Sequence, residues 1–227
     1  MTAQRFDIYR QIHKAMRACM CDALLAAGQF DPMDDGARAQ FLTRVREMLS
    51  FARAHLDKED KFVHPAMDAR APGSSKKTAE DHTGHQQAFR ELDETLDALE
   101  QGSILEKPAA AHALYGKLAH FVGENLLHMQ VEESANNEIL WRTHSDQEIL
   151  ALECAIVASL SPQERAYSAQ WMLPFANPQE RLHMLRAMQP MMPPEAFAGL
   201  LRMLEAKLSP ENWRQLEMAL GQPSLAA

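Results

Sequence analysis

The six residues HLDKED, 55 to 60, decide how the first two thirds of this chain are read. They lie in a run whose apolar residues recur in alternating steps of four and three, Phe41, Val45, Met48 and Ala52, the seam of a helix that faces a core. The seam continues as His55, Glu59 and Phe62, so an imidazole and a carboxylate take positions that burial normally reserves for apolar groups. A second copy, HMQVEE at 128 to 133, does the same. There Leu114, Leu118, Phe121 and Asn125 lead into His128 and Glu132, followed by Ala135 and Ile139.

Outward from these two copies, the periodicity predicts four long helices at about 6 to 27, 36 to 64, 77 to 100 and 108 to 142. GQFDPMDD, APGSS and EQGSILEKP separate them, each rich in residues that favour turns, with Pro108 where a first helical residue is tolerated. Short connections favour antiparallel neighbours, so the expected fold is all-α, an up-down-up-down four-helix bundle.

The texture changes after residue 143. Ser161-Pro162, Asn177-Pro178, Pro193-Pro194 and Ser209-Pro210 open helical stretches 16 residues apart, and Ser161/Glu164 and Asn177/Glu180 have capping-box spacing. The expected organisation is a bundle over 1–143 and a C-terminal extension of short helices over 144–227. That extension could pack on the bundle, form a small helical domain of its own, or make a homodimer. WMLPF and MQPMMPPEAF give it apolar surface that needs burial.

Composition supports a helical chain and narrows its partners. Of 227 residues, 46% are hydrophobic and 24% charged, with nine Gly, three Tyr and fourteen Met, the last being adaptable core filler. A formal net charge of -8 without a Lys/Arg cluster argues against nucleic acid. No apolar run reaches the roughly 18 residues of a membrane span and no signal-type segment opens the chain, so a cytoplasmic location is expected. Cys19, Cys21 and Cys154 are odd in number and lack CxxC spacing, which indicates neither a disulfide framework nor a thiolate metal site.

The first and third helices also send histidines to the interior. The seams read Phe6, Tyr9, His13, Met16, Met20 and His82, His85, Phe89, Leu92, Leu96, Leu99. In an up-down-up-down bundle, the early turns of helices 1 and 3 share an end with the late turns of helices 2 and 4. His13, His55, Glu59, His82, His85, His128 and Glu132 therefore fall in one layer. Unpaired, such a layer would cost several kcal/mol per buried charge, and bound cations would offset that cost. About seven imidazole and carboxylate ligands are too many for one tetrahedral zinc and suit two ions, with iron, manganese and zinc as candidates. His64, His112, His120, His144 and His183 fall off the layer and read as ordinary core or surface residues. Tyr9, one turn from His13, could pack, hydrogen-bond a ligand or line a pocket.

One His on the first helix, His-x-x-x-Glu on the second, His on the third and His-x-x-x-Glu on the fourth resemble the hemerythrin-like (HHE cation-binding) family over about residues 6 to 142. EDKFVHP is similar to the acidic, apolar, Pro-terminated end of that family's second helix. The resemblance implies a non-haem di-iron centre in which His13, His55, His82 or His85, and His128 are terminal ligands and Glu59 and Glu132 bridge. It also implies binding of dioxygen or a related small oxidant, as carrier or sensor. The alternatives are an enzyme at the same site, peroxidase-like or repairing iron-sulfur centres, or a helical interaction protein with a structural metal or none. Oxygen-carrying members space their two helix-3 histidines a full turn apart, whereas His82 and His85 are three apart. Those members also place a carboxylate five residues after the helix-4 His, which would select Glu133; the internal repeat with His55/Glu59 favours Glu132.

Overall fold

A computed structural model describes residues 5–221, and among these there is no β-strand. The chain divides at Ser161/Pro162 into two compact units.

The first unit holds α1 (Arg10–Ala27), α2 (35–70), α3 (Lys76–Gln101), α4 (107–143) and α5 (Asp146–Ser159). The first four pack cyclically, α1 on α2, α2 on α3, α3 on α4 and α4 on α1, which is the up-down-up-down bundle. α1 starts later than its seam suggested. The Asp7 carboxylate accepts from the Tyr9 and Arg10 backbone N–H groups at 3.1 and 3.2 Å, so Phe6 lies ahead of the helix and Tyr9 is its N-cap residue. α2 opens at an N-cap, with the Asp34 carboxylate accepting from Ala37 N–H at 2.7 Å.

The predicted seams are buried along α3 and through the first parts of α2 and α4, then slip by one residue in the latter two. Phe62, Ala135 and Ile139 were expected inside. The fully buried residues are instead Val63, Asn136 and Leu140, each one position later. The cause is a π turn in each helix, Glu59–Val63 in α2 and Glu132–Asn136 in α4, where His64 N–H reaches back to Glu59 C=O and Asn137 N–H to Glu132 C=O. A π turn holds one residue more than an α turn, so everything beyond it rotates to a new register. The wider turn also lets α2 run through Pro65, where the sequence placed its end, on to Arg70; the missing proline N–H falls beside the already rearranged ladder.

Beyond the π turns, Ile8, Tyr9, Val63, Met67, Leu140 and Ile149 form an apolar cluster, flanked by Phe6, Trp141, Leu152 and Ile156. α5 supplies three of these residues. It is fastened by Arg70 to Glu148 at 2.5 Å, by Arg5 to Asp146 at 2.6 Å and by a capping box between Ser145 and Glu148. The compact unit thus runs past the boundary expected at 143, because α5 covers the end of the bundle.

The second unit contains α6 (Pro162–Phe175), α7 (Pro178–Met188), α8 (Pro194–Lys207) and α9 (Pro210–Gly221), each starting at one of the four prolines 16 residues apart. The Asn177/Glu180 capping box forms, with backbone bonds of 2.9 and 3.0 Å. Leu173, Leu185, Phe197, Leu204 and Leu216 make a core of its own. Buried Arg181 donates to the carbonyls of Leu173, Pro174 and Ala176, satisfying acceptors that the end of α6 leaves without a helical donor. No described helix is long and apolar enough to cross a membrane.

Candidate metal centre

Four helices deliver the polar layer. His13 comes from the first turn of α1, His55 and Glu59 from α2 at the entry to its π turn, His82 and His85 from α3, and His128 and Glu132 from α4 at the entry to its π turn. His13 and Glu132 have no exposure, Glu59, His82 and His85 less than 5%, and the His55 and His128 side chains 8 and 5%.

Two ligand groups overlap in this layer. One is His13, His55, Glu59 and Glu132; the other is Glu59, His82, His128 and Glu132; within each, one ligand atom per residue lies within 4.8 Å of the others. The two carboxylates divide their oxygens between the groups. Glu59 Oε1 is 3.3 Å from His55 Nε2 and 3.8 Å from His13 Nε2, while its Oε2 is 3.5 Å from His82 Nε2. Glu132 Oε2 is 3.4 Å from His13 Nε2, while its Oε1 is 3.3 Å from His128 Nε2 and 3.8 Å from His82 Nε2. Ligand atoms of one ion stand at about these separations, since each metal–ligand distance is about 2 Å.

Six of the atoms aimed into the layer lack hydrogen-bond partners, while His82 Nε2 and His128 Nε2 face each other at 3.1 Å. The six are His13 Nε2, His55 Nε2 and all four oxygens of Glu59 and Glu132. Buried polar groups are ordinarily paired, so six orphans converging on two points fit two cations. The donor set, imidazole and carboxylate without thiolate, suits first-row divalent metals.

Without ions the charges settle unevenly. Burial, then repulsion from Glu132, push Glu59 up to about 7. Burial would raise Glu132 too, but the imidazoles of His128 and His82 beside it outweigh that and hold the group well below the usual carboxylate range. Burial works to lower His13 and His82, yet the carboxylates around them win and bring both to about 9. His55 and His85 are pushed down by burial, then by neighbouring imidazoles, to about 3 and about 4.

Outside the layer, carboxylates face the far nitrogens of three imidazoles. His13 Nδ1 is 3.0 Å from Glu133, His82 Nδ1 2.7 Å from Asp60 and His128 Nδ1 3.6 Å from Asp81. The first two are hydrogen bonds, which fix the tautomer and direct the Nε2 lone pair inward, whereas His128 Nδ1 has no hydrogen-bond partner. Glu133 is therefore outside the layer, paired with His13 and Arg17, and Glu132 is the carboxylate inside it.

One sequence expectation needs correction, because His64 is not off the site. Asp60, next to Glu59 on α2, reaches it as well. His64 is 5% exposed, bonds Asp60 through Nδ1 at 3.0 Å and Thr78 through Nε2 at 3.1 Å, and with Asp60 and His82 forms a third cluster of ligand-type groups. The π turn explains this, because it swings His64 back beneath Glu59 and Asp60. His85 is brought close without joining either group of four: its ring lies 4.8 Å from that of His128, and its buried Nδ1 has no partner. Tyr9 packs its ring 5.0 Å from His13, and its hydroxyl accepts from the Asn136 amide at 3.3 Å.

An all-helical bundle with inward imidazoles and two shared carboxylates defines the class of protein: one built around a cation-binding site between four helices. The model of the hemerythrin HHE cation-binding domain matches residues 5–139, more than half of the chain, and the chain belongs to that family. Comparison with curated proteins and with solved structures gave no match. The match ends inside α4, so α5 and the second unit lie outside it.

Proposed function

We propose that this is a cytoplasmic non-haem di-iron protein that binds dioxygen or a related small oxidant reversibly, as a carrier or sensor. The observation that carries the reading is the division of labour in Glu59 and Glu132, each offering one oxygen to each of two imidazole pairs. His13, His55, His82 and His128 would complete the two coordination sets, with manganese or zinc as alternatives to iron. Iron held there would supply reversible electron transfer and an open position for a small oxidant.

The chain does the rest. Asp60 and Glu133 hold His82 and His13 in orientation. The apolar cluster beyond the π turns and the Met16, Met48, Phe89 and Phe121 side of the layer bracket the site with groups that exclude bulk water. Only two carboxylates reach the layer against four imidazoles, so the ligands bring little negative charge. A less anionic centre gives little stabilisation to the high oxidation states that substrate oxidation needs, which favours binding.

The test is anaerobic reconstitution with ferrous iron, elemental analysis and visible spectroscopy. About two ions per chain are expected for two ligand sets, with a charge-transfer absorption that appears on exposure to air and disappears under vacuum. Bleaching that vacuum does not reverse, or turnover of peroxide, would assign the site to an enzyme. Metal content well under one ion per chain, unchanged by His55→Ala, would remove the di-iron reading.

A further inference from the structure

We infer that the two halves of the layer hold their ions unequally, the His82/His128 half the more tightly, because its imidazoles are the better supported by carboxylates outside the layer. The inference rests on the reading that the layer holds two ions. The inner ligands are matched, since each half receives two Nε2 atoms and one oxygen from each of Glu59 and Glu132, so any difference must come from what stands behind them.

Behind the His82/His128 half one carboxylate is hydrogen-bonded and a second lies further off. Asp60 contacts His82 Nδ1 at 2.7 Å and is itself steadied by His64 at 3.0 Å, whose other nitrogen is held by buried Thr78 at 3.1 Å. Asp81 lies 3.6 Å from His128 Nδ1, beyond hydrogen-bond reach, and is paired with Lys77 at 2.5 Å. His85, buried and with an unpartnered Nδ1, packs against His128 on this half alone.

Behind the His13/His55 half stands one carboxylate, and it is shared. Glu133 faces His13 Nδ1 at 3.0 Å, but Arg17 grips both its oxygens at 2.5 and 3.0 Å, which withdraws charge that would otherwise make the imidazole a better donor. His55 has Glu59 as its carboxylate contact, on Nε2, and no carboxylate on its far nitrogen among the described residues. A carboxylate behind a ligating imidazole raises its basicity and fixes its aim; losing one costs about 10- to 100-fold in metal affinity. An uneven pair of halves should therefore load in order, with the His13/His55 ion the exchangeable one.

The experiment is an anaerobic calorimetric titration of the full-length metal-free protein with ferrous ion, repeated with zinc as a redox-silent probe, and counting of bound ions after desalting. Two ions entering in two steps, separated by about tenfold or more, are expected. Asp60→Asn should weaken the His82/His128 half by about 10- to 100-fold, closing or reversing the gap between the steps. His55→Ala should remove the second step and spare the first. Circular dichroism reports whether Asp60→Asn keeps its helices, and Asp81→Asn repeats the test from the surface should it not. Two ions of equal affinity, or a first step lost with His55, would overturn the inequality while leaving the two-ion reading intact. Failure to bind two ions at saturation would remove both.

Discussion

In the metal-free bundle, Glu59 shares a buried layer with Glu132, and removal of the ions should make stability depend on pH in a calculable way. Burial and the neighbouring carboxylate bring Glu59 from the ordinary 4.5 to about 7. Between these values the folded chain holds a proton that the unfolded chain has released, so stability falls as pH rises. At about 1.4 kcal/mol per pH unit, the loss across the window is roughly 3 kcal/mol. For a unit of this size that is a drop of roughly 6 to 12 °C in midpoint. His13 and His82 extend the decline: both are raised from 6.5 to about 9, so they contribute stability fully below 6.5 and lose it as pH climbs through 9. His55 and His85 act the other way: depressed from 6.5 to about 3 and about 4, they add stability as pH rises towards 6.5 and outweigh Glu59 there. Glu132 and Glu133 are depressed and act only below 4.5, outside the window. Because the two compact units can unfold separately, hydrogen exchange in α2 and α4 is the suitable assay, run on chelated protein from pH 5 to 9. The metal-free wild type should therefore gain stability from pH 5 to about 6.5 and lose it from there to 9, while Glu59→Gln should gain roughly 3 kcal/mol more than the wild type between pH 4.5 and 7; the metal-loaded protein should lack this profile. A Glu59→Gln profile parallel to the wild type between pH 4.5 and 7 would refute the placement of two opposed carboxylates in the layer.

Two further outcomes probe the scaffold. Leu118, fully buried on α4, should cost about 2 to 5 kcal/mol when cut to Ala; urea unfolding followed through exchange in α4 measures it, and a loss below about 1 kcal/mol would mean the helix is loosely packed. Arg181→Met should leave three carbonyls at the end of α6 without their donor, a loss on the order of 3 kcal/mol; exchange protection should drop in α6 to α9 while metal content stays at the wild-type level.

The bundle and its inner ligands were legible because burial imposes a period. His55/Glu59 and His128/Glu132 stand where the seam demands apolar groups, and repetition separates a ligand pair from an accident. The starts of α6 to α9 were legible for a local reason, since Pro cannot continue a preceding helix yet suits the first turn of the next. What lay hidden was everything that depends on the π turns. No residue spacing announces an extra residue in a turn, so Phe62 and Ala135 were placed inside, Pro65 was read as a stop, and His64 was set aside though it lies beneath the layer. The outer carboxylates were hidden for another reason. Asp60 sits one residue from a ligand, where an α-helix points it elsewhere, and its partner His82 is on a different helix. The role of α5 as cover for the bundle end was equally invisible, since Ile149, Leu152 and Ile156 show only that some surface must be met.

The paired π turns also govern how this chain must be laid beside any other of similar architecture. Counted along α2, the seam positions 41, 45, 48, 52, 55 and 59 would be followed by 62 and 66 in an uninterrupted helix, and the chain buries 63 and 67. Along α4 the offset has the same sign and size. Each His-x-x-x-Glu copy is therefore followed by one surplus residue, and a bundle lacking the surplus needs a single-residue gap at each copy to be compared with this one. An alignment drawn without those two gaps would agree through Glu59 and Glu132, then pair surface with core for the rest of each helix.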